Sequence, residues 1–250
     1  MNIHKILRYF LIGGIFLVPF IALLVSGSMF FPFITLKNFT FRIIVELVLG
    51  GWAILAILDK TYRPRFSPLL ISILALLGIM TFADFFGVNP FKSFWSNFER
   101  MEGLVSLIHL VGYFVVTGIV LNTEKLWDRF FNTSVVVSAI IGFYEILQLA
   151  GKIKINQGGV RLDGTFGNAS YLAIYMLFHI FITLFLLVRW RGSSLMKYVY
   201  CVAIVLQTVT LYFTATRSTL LGIVGGTFLT TLLIALFEKE RHKIRKISII

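Results

Sequence analysis

The sequence predicts an all-α fold: a polytopic transmembrane helix bundle of about eight spans, with both termini in the cytoplasm. Three observations point there. Hydrophobic residues make up 58% of the 250-residue chain and charged residues 14%, where a soluble domain carries about 25% charged; mean hydropathy is +0.91. Apolar runs close to the ~20 residues that cross a bilayer recur along the whole chain. Lys and Arg gather in the short segments between those runs, as topology signals do.

The first run, residues 7–28, follows Lys5 and Arg8. It is longer than a signal-peptide core and further spans follow, so it is expected to be retained as a helix. The next runs fall at 41–58, 68–86, 104–122, 131–150 and 169–188. Residues 197–237 form a nearly unbroken apolar stretch interrupted at Thr214–Ser218. As one helix it would be about 60 Å long, twice the hydrocarbon thickness. It is therefore expected to fold back there, giving spans at 197–213 and 218–237. One transmembrane domain over 1–250 is expected.

Orientation follows from the loops. With the N-terminus inside, Lys60, Arg63, Arg65, Lys125, Arg129, Arg189, Arg191, Lys197 and the cluster Lys239 to Lys246 all face the cytoplasm, as the positive-inside rule requires. This distribution makes the net charge of +12 a topology signal, and excludes nucleic acid as the partner. The single cysteine, Cys201, allows no intrachain disulfide. His4, His109, His179 and His242 show no metal-ligand spacing, so neither a metal nor a cofactor is expected.

The outer face carries the chemistry. Arg161 and Arg217 sit in short breaks between apolar runs, where an arginine beside hydrocarbon is costly without an anion. Lys152 and Lys154 add charge to the loop Gly151–Asn168. Gly158, Gly159, Gly164 and Gly167 let its backbone turn tightly, and Asn168 or Ser170 can cap the span that follows. Such a helix start, aimed where Arg161 sits, suits a diphosphate; the plain alternative is a connector whose cations meet lipid headgroups. Gly222 and Gly226, four apart, allow a close helix approach that holds Arg217 against the bundle.

The other outer loop, 87–103, holds Phe91, Phe94, Trp95 and Phe98 at helical spacing, as in an interfacial helix. Glu99, Arg100 and Glu102 follow, as possible contacts to sugar or pyrophosphate. Glu46, Asp84 and Glu145 are expected in the outer third of the bilayer, with Arg42 and Glu46 spaced to pair. Asp163, Glu99, Glu102 and Glu145 are the candidate polar partners or bases. The histidines within spans read as packing groups.

These features together resemble the O-antigen ligase and O-antigen polymerase family of bacterial membrane glycosyltransferases. The resemblance rests on Arg161-Leu-Asp-Gly-Thr-Phe-Gly-Asn168 before a span, on Thr216-Arg217-Ser218 about two spans later, and on Phe98-Glu-Arg-Met-Glu-Gly103 at the entry to another. It is strongest over residues 60–237. Ala169-Ser170 stands where the family often has Pro-Asn, and Thr216 where it often has Ser.

The resemblance implies a multi-pass enzyme of the bacterial inner membrane. It would move a glycan from an undecaprenyl-diphosphate carrier to an acceptor hydroxyl, on a glycan or a lipid, at the periplasmic face. Arg161 and Arg217, helped by Lys152, Lys154 and Arg100, would hold the diphosphate, with Gly164, Gly167 and Asn168 shaping the loop. The catalytic histidine of the ligases lies in a later periplasmic loop that this chain lacks; His242 falls in the basic tail. The chain is therefore expected to be the N-terminal part of a longer protein, an expectation that Ile247–Ile250, reading as the start of another apolar run, also supports. The alternatives are a transporter or flippase for an anionic substrate and a non-catalytic membrane scaffold.

Overall fold

A computed structural model describes residues 3–157 and 159–237. Gly158, His242, the basic cluster Lys239 to Lys246 and residues 247–250 lie outside the described residues. Helices α1 (Ile3–Leu17), α2 (Thr35–Leu58), α3 (Pro68–Phe85), α4 (Pro90–Trp95), α5 (Leu104–Val120), α6 (Glu124–Leu149), α7 (Ala169–Arg189), α8 (Ser194–Phe213) and α9 (Arg217–Phe237) follow in order. A 3₁₀ segment, Val18–Leu23, extends α1, and no strand occurs among the described residues. Among the described residues seven helices are long and apolar enough to cross a membrane, and α5 is a shorter apolar helix. The chain is a multi-pass membrane protein.

The helices divide into two compact units, residues 1–137 and 138–250. In the first, α1, α2 and α5 enclose a core of Leu11, Ile15, Val48, Leu55, Val116, Val120 and Leu121, flanked by Trp127 and Phe130 from the start of α6. Close approach needs small residues: a Cβ on Gly14 would strike Val48, and one on Gly51 would lie 3.2 Å from Leu11. Helix α3 packs on α5 and α4, while Leu69, Leu76, Ile79 and Phe82 stay exposed. Such a run of bare apolar side chains fits a helix facing hydrocarbon.

Two helices, α2 and α6, begin well before the apolar runs that predict them. Helix α2 starts at Thr35, six residues before the apolar window opens; Lys37 accommodates this by donating from Nζ to the Phe33 carbonyl (3.1 Å). Helix α6 starts at Glu124, capped by Thr123, whose hydroxyl accepts from the Leu126 N–H (3.3 Å). The earlier start places Glu46 near the middle of α2. Glu46 does not pair with Arg42. Glu46 meets His109 Nε2 at 3.2 Å, and Arg42 donates to Ser106 Oγ at 2.9 Å, so each finds its partner on α5.

In the second unit α7 packs on α8 and on α9, and the latter part of α6 meets α8, where a Cβ on Gly142 would lie 2.8 Å from Leu206. Leu172, Ala173, Met176 and Leu211 are fully or almost fully buried. A Cβ on Gly222 would lie 3.0 Å from Leu177, and one on Gly226 2.7 Å from Phe181. The two glycines therefore do form the predicted close seam, between α9 and α7. A polar string crosses this interior. Gln207 Nε2 donates to Ser138 Oγ (2.8 Å) and to Thr183 Oγ1 (3.1 Å), and Thr183 Oγ1 donates to the His179 carbonyl (2.7 Å).

Candidate functional site

The loop between α6 and α7 and the turn between α8 and α9 build the site. Helix α6 stops in a Schellman arrangement: Gly151 takes φ +70°, its N–H donates to the Gln148 carbonyl (3.0 Å), and the Lys152 N–H donates to Leu147 (2.9 Å). This turn presents Lys152 and Lys154 as exposed cations. Further on, the Leu162 N–H donates to the Phe213 carbonyl (3.2 Å), stitching the loop to the end of α8.

Arg161 completes that join. Its Nε donates to the Thr214 carbonyl (2.9 Å) and its Nη2 to Thr216 Oγ1 (3.1 Å). Ala215, at φ +50°, makes the turn between those two partners. Arg217 follows as the first residue of α9, exposed. The structure thus joins Arg161 to the turn that carries Arg217. Among the described residues neither guanidinium has a carboxylate within ion-pairing distance.

Asp163 is fully buried and serves the loop itself. Its carboxylate accepts from the Gln157 N–H (2.6 Å), Gln148 Nε2 (3.1 Å) and Asn156 Nδ2 (3.3 Å). Gln148 also donates to the Lys154 carbonyl (2.9 Å) and accepts from the Gly164 N–H (3.1 Å). Sequence reasoning passed over Gln148. Its signal is a lone amide in the last turn of an apolar helix, one turn beyond Glu145. Asn156 and Gln157 were also passed over.

Gly164, the first residue of a short 3₁₀ turn, and Gly167, just after its last, adopt left-handed backbone, φ +47° and +61°. Asn168 then caps α7, accepting from the Ser170 N–H (2.8 Å) and the Tyr171 N–H (3.4 Å). Of the two candidate caps, Asn168 takes the role. Glu145 lies beneath this corner. It is fully buried, neither carboxylate oxygen has a hydrogen-bond partner among the described residues, and a Cβ on Gly164 would collide with it.

The charged triplet of the earlier loop belongs to the first unit. Glu99 Oε2 accepts from the Phe30 N–H (2.9 Å), and the Arg100 carbonyl accepts from Asn38 Nδ2 (2.9 Å). Arg100 pairs with Glu102 (3.2 Å) and stands 5.4 Å from the Phe31 ring. Helix α4 ends at Trp95, where Ser96 turns to φ +65°, so Phe98 falls outside it. His179 Nδ1 bonds the Tyr175 carbonyl (2.8 Å), as a packing group does. No cluster of three or more metal-ligating side chains occurs among the described residues.

Compared with protein-family profiles, with curated proteins and with solved structures, the chain gives no match in any of the three.

Proposed function

We propose that the chain is a glycosyltransferase of the O-antigen ligase or polymerase kind in a bacterial inner membrane. In this reading it crosses about eight times, with α5 as the eighth span and both termini in the cytoplasm. Arg161 and Arg217 grip the diphosphate of an undecaprenyl-linked glycan at the outer face. The observation that supports it is the bonding of Arg161 to Thr214 and Thr216, which brings together two arginine-bearing segments far apart in sequence. Lys152 and Lys154, exposed on the same loop, add longer-range attraction for an anion.

Chemically, an acceptor hydroxyl attacks the sugar carbon that bears the diphosphate. A new C–O bond forms, the old one breaks, and negative charge grows on the departing diphosphate. Guanidinium groups stabilise that charge through paired N–H donors. The hydroxyl proton needs a base. Asp163 is spent on three donors and Glu145 is sealed from the surface, so neither suits that role.

Replacing Arg217 by Ala and by Lys in the full-length gene, followed by a glycan-transfer assay, tests the role. Both variants are expected to lose activity, because a point charge does not reproduce a bidentate fork. Full activity in both removes it. The polar string from Ser138 through Gln207 and Thr183 favours the transport alternative, since such groups line pathways. Uptake of an anionic substrate into proteoliposomes, without glycan transfer, would decide for transport.

A further inference from the structure

The first unit holds a cavity of about 440 Å³ where α2 ends, α3 begins and α5 ends. Arg63, Arg65 and Ser67 line it from the segment between α2 and α3, and Phe114, Val115 and Ile119 from α5. We propose that this cavity binds the phosphate headgroup of an anionic phospholipid, with the acyl chains lying along α3 and α5.

Charge points to the headgroup. Neither Arg63 nor Arg65 has an acidic partner within ion-pairing distance among the described residues. The nearest acid in sequence, Asp59, is occupied by the Thr61 N–H (2.9 Å) and hydroxyl (2.7 Å). Arg63 is held in place by its Nε bond to the Ala56 carbonyl (3.2 Å), and the 60–62 turn by Trp52 Nε1 donating to the Tyr62 carbonyl (2.9 Å). Ser67 caps α3, whose N-terminal N–H groups add positive partial charge at the same mouth.

Shape and polarity select a lipid over a soluble phosphate. Half of the wall is aromatic or aliphatic, and the exposed Leu74, one turn on from Leu70 along α3, continues the apolar surface away from the arginines. A small phosphate would leave that wall wet, whereas a chain covers it. Gly118 lies in the lining, and a Cβ there would meet nothing within 4 Å. Basic pockets between spanning helices near the membrane surface recognise such headgroups. The site does not depend on the roles of Arg161 and Arg217.

The test uses the full chain purified in detergent, titrated with phosphatidylglycerol, phosphatidylcholine or glycerol 3-phosphate and read by thermal unfolding. Phosphatidylglycerol is expected to raise the melting temperature saturably, and the other two to do so weakly. Arg65→Gln should weaken that effect about tenfold, the worth of one charge-assisted hydrogen bond. Gly118→Leu should weaken it similarly by filling the apolar arm, while melting normally without lipid. Equal stabilisation by phosphatidylcholine would mean general solvation, and equal stabilisation by glycerol phosphate a soluble-anion site. Either result overturns the proposal, as does undiminished phosphatidylglycerol affinity in both variants.

Discussion

Gly164→Ala is the most informative single change in the loop before α7. Gly164 sits at φ +47°, where a Cβ costs ~1–2 kcal/mol. The new methyl would also run into the Glu145 carboxylate, and forcing an atom into a filled site adds ~1–3 kcal/mol. Together the loss is ~2–5 kcal/mol, or roughly 4–20 °C in melting temperature for a chain of this size. Gly159→Ala supplies the control: φ is +81°, yet nothing lies within 4 Å of its Cβ, so only the backbone cost of ~1–2 kcal/mol applies. A second mutation isolates the contact. Glu145→Ala removes a carboxylate that makes no hydrogen bond, so alone it should cost little, and in the double variant it should recover ~1–3 kcal/mol. The assay is thermal unfolding in detergent across the four-variant cycle, with Gly159→Ala alongside. Equal melting of Gly164→Ala and Gly159→Ala, or no coupling with Glu145→Ala, would refute the account of this corner.

Gln148→Leu should cost ~2–4 kcal/mol, because it strips donors or acceptors from buried Asp163 and from the Gly164 N–H; Asn156→Ala, losing a longer 3.3 Å bond, should cost less in the same melting assay. Asn168→Ala should destabilise α7 by ~1 kcal/mol and Asn168→Asp should not, read by hydrogen exchange at Ser170 and Tyr171. The Thr61 N–H, and then its hydroxyl, hold the Asp59 carboxyl below its ordinary value. Its contribution to the turn is therefore fully present above pH ~4, the ordinary aspartate range, and is lost as pH falls through the lower folded value. Trp52 fluorescence should stay constant from neutral pH down to that range and change below it, with Asp59→Asn flat throughout.

Much of the helical skeleton was legible because hydrocarbon imposes a long apolar window. The reversal at Thr214–Ser218 was legible on that basis, and the glycine seam of α9 from two glycines spaced four apart. The starts of α2 and α6 were not, because hydropathy marks where a helix enters apolar surroundings, not where its hydrogen bonds begin. Lys37, Asn38, Lys125 and Asp128 are helical yet fail any apolar window. In the loop, the glycines and the Asn168 cap are local and could be read from residue type. The partners of Asp163 and Arg161 could not. Gln148 lies 15 residues from Asp163, and Thr214 lies 53 from Arg161, and no local preference encodes such pairings. The Arg42–Glu46 expectation failed for the same reason: spacing within one helix says nothing of a neighbour that competes.

Arg161 spends part of its guanidinium on its own protein. With Nε on the Thr214 carbonyl and one Nη2 proton on Thr216, three of its five N–H bonds remain for anything outside the chain. An anion that drew on the first two would have to loosen the elbow from which α9 departs. Occupancy at this arginine and the stance of the last described helix are thus mechanically linked, like a latch whose keeper is also its hinge pin.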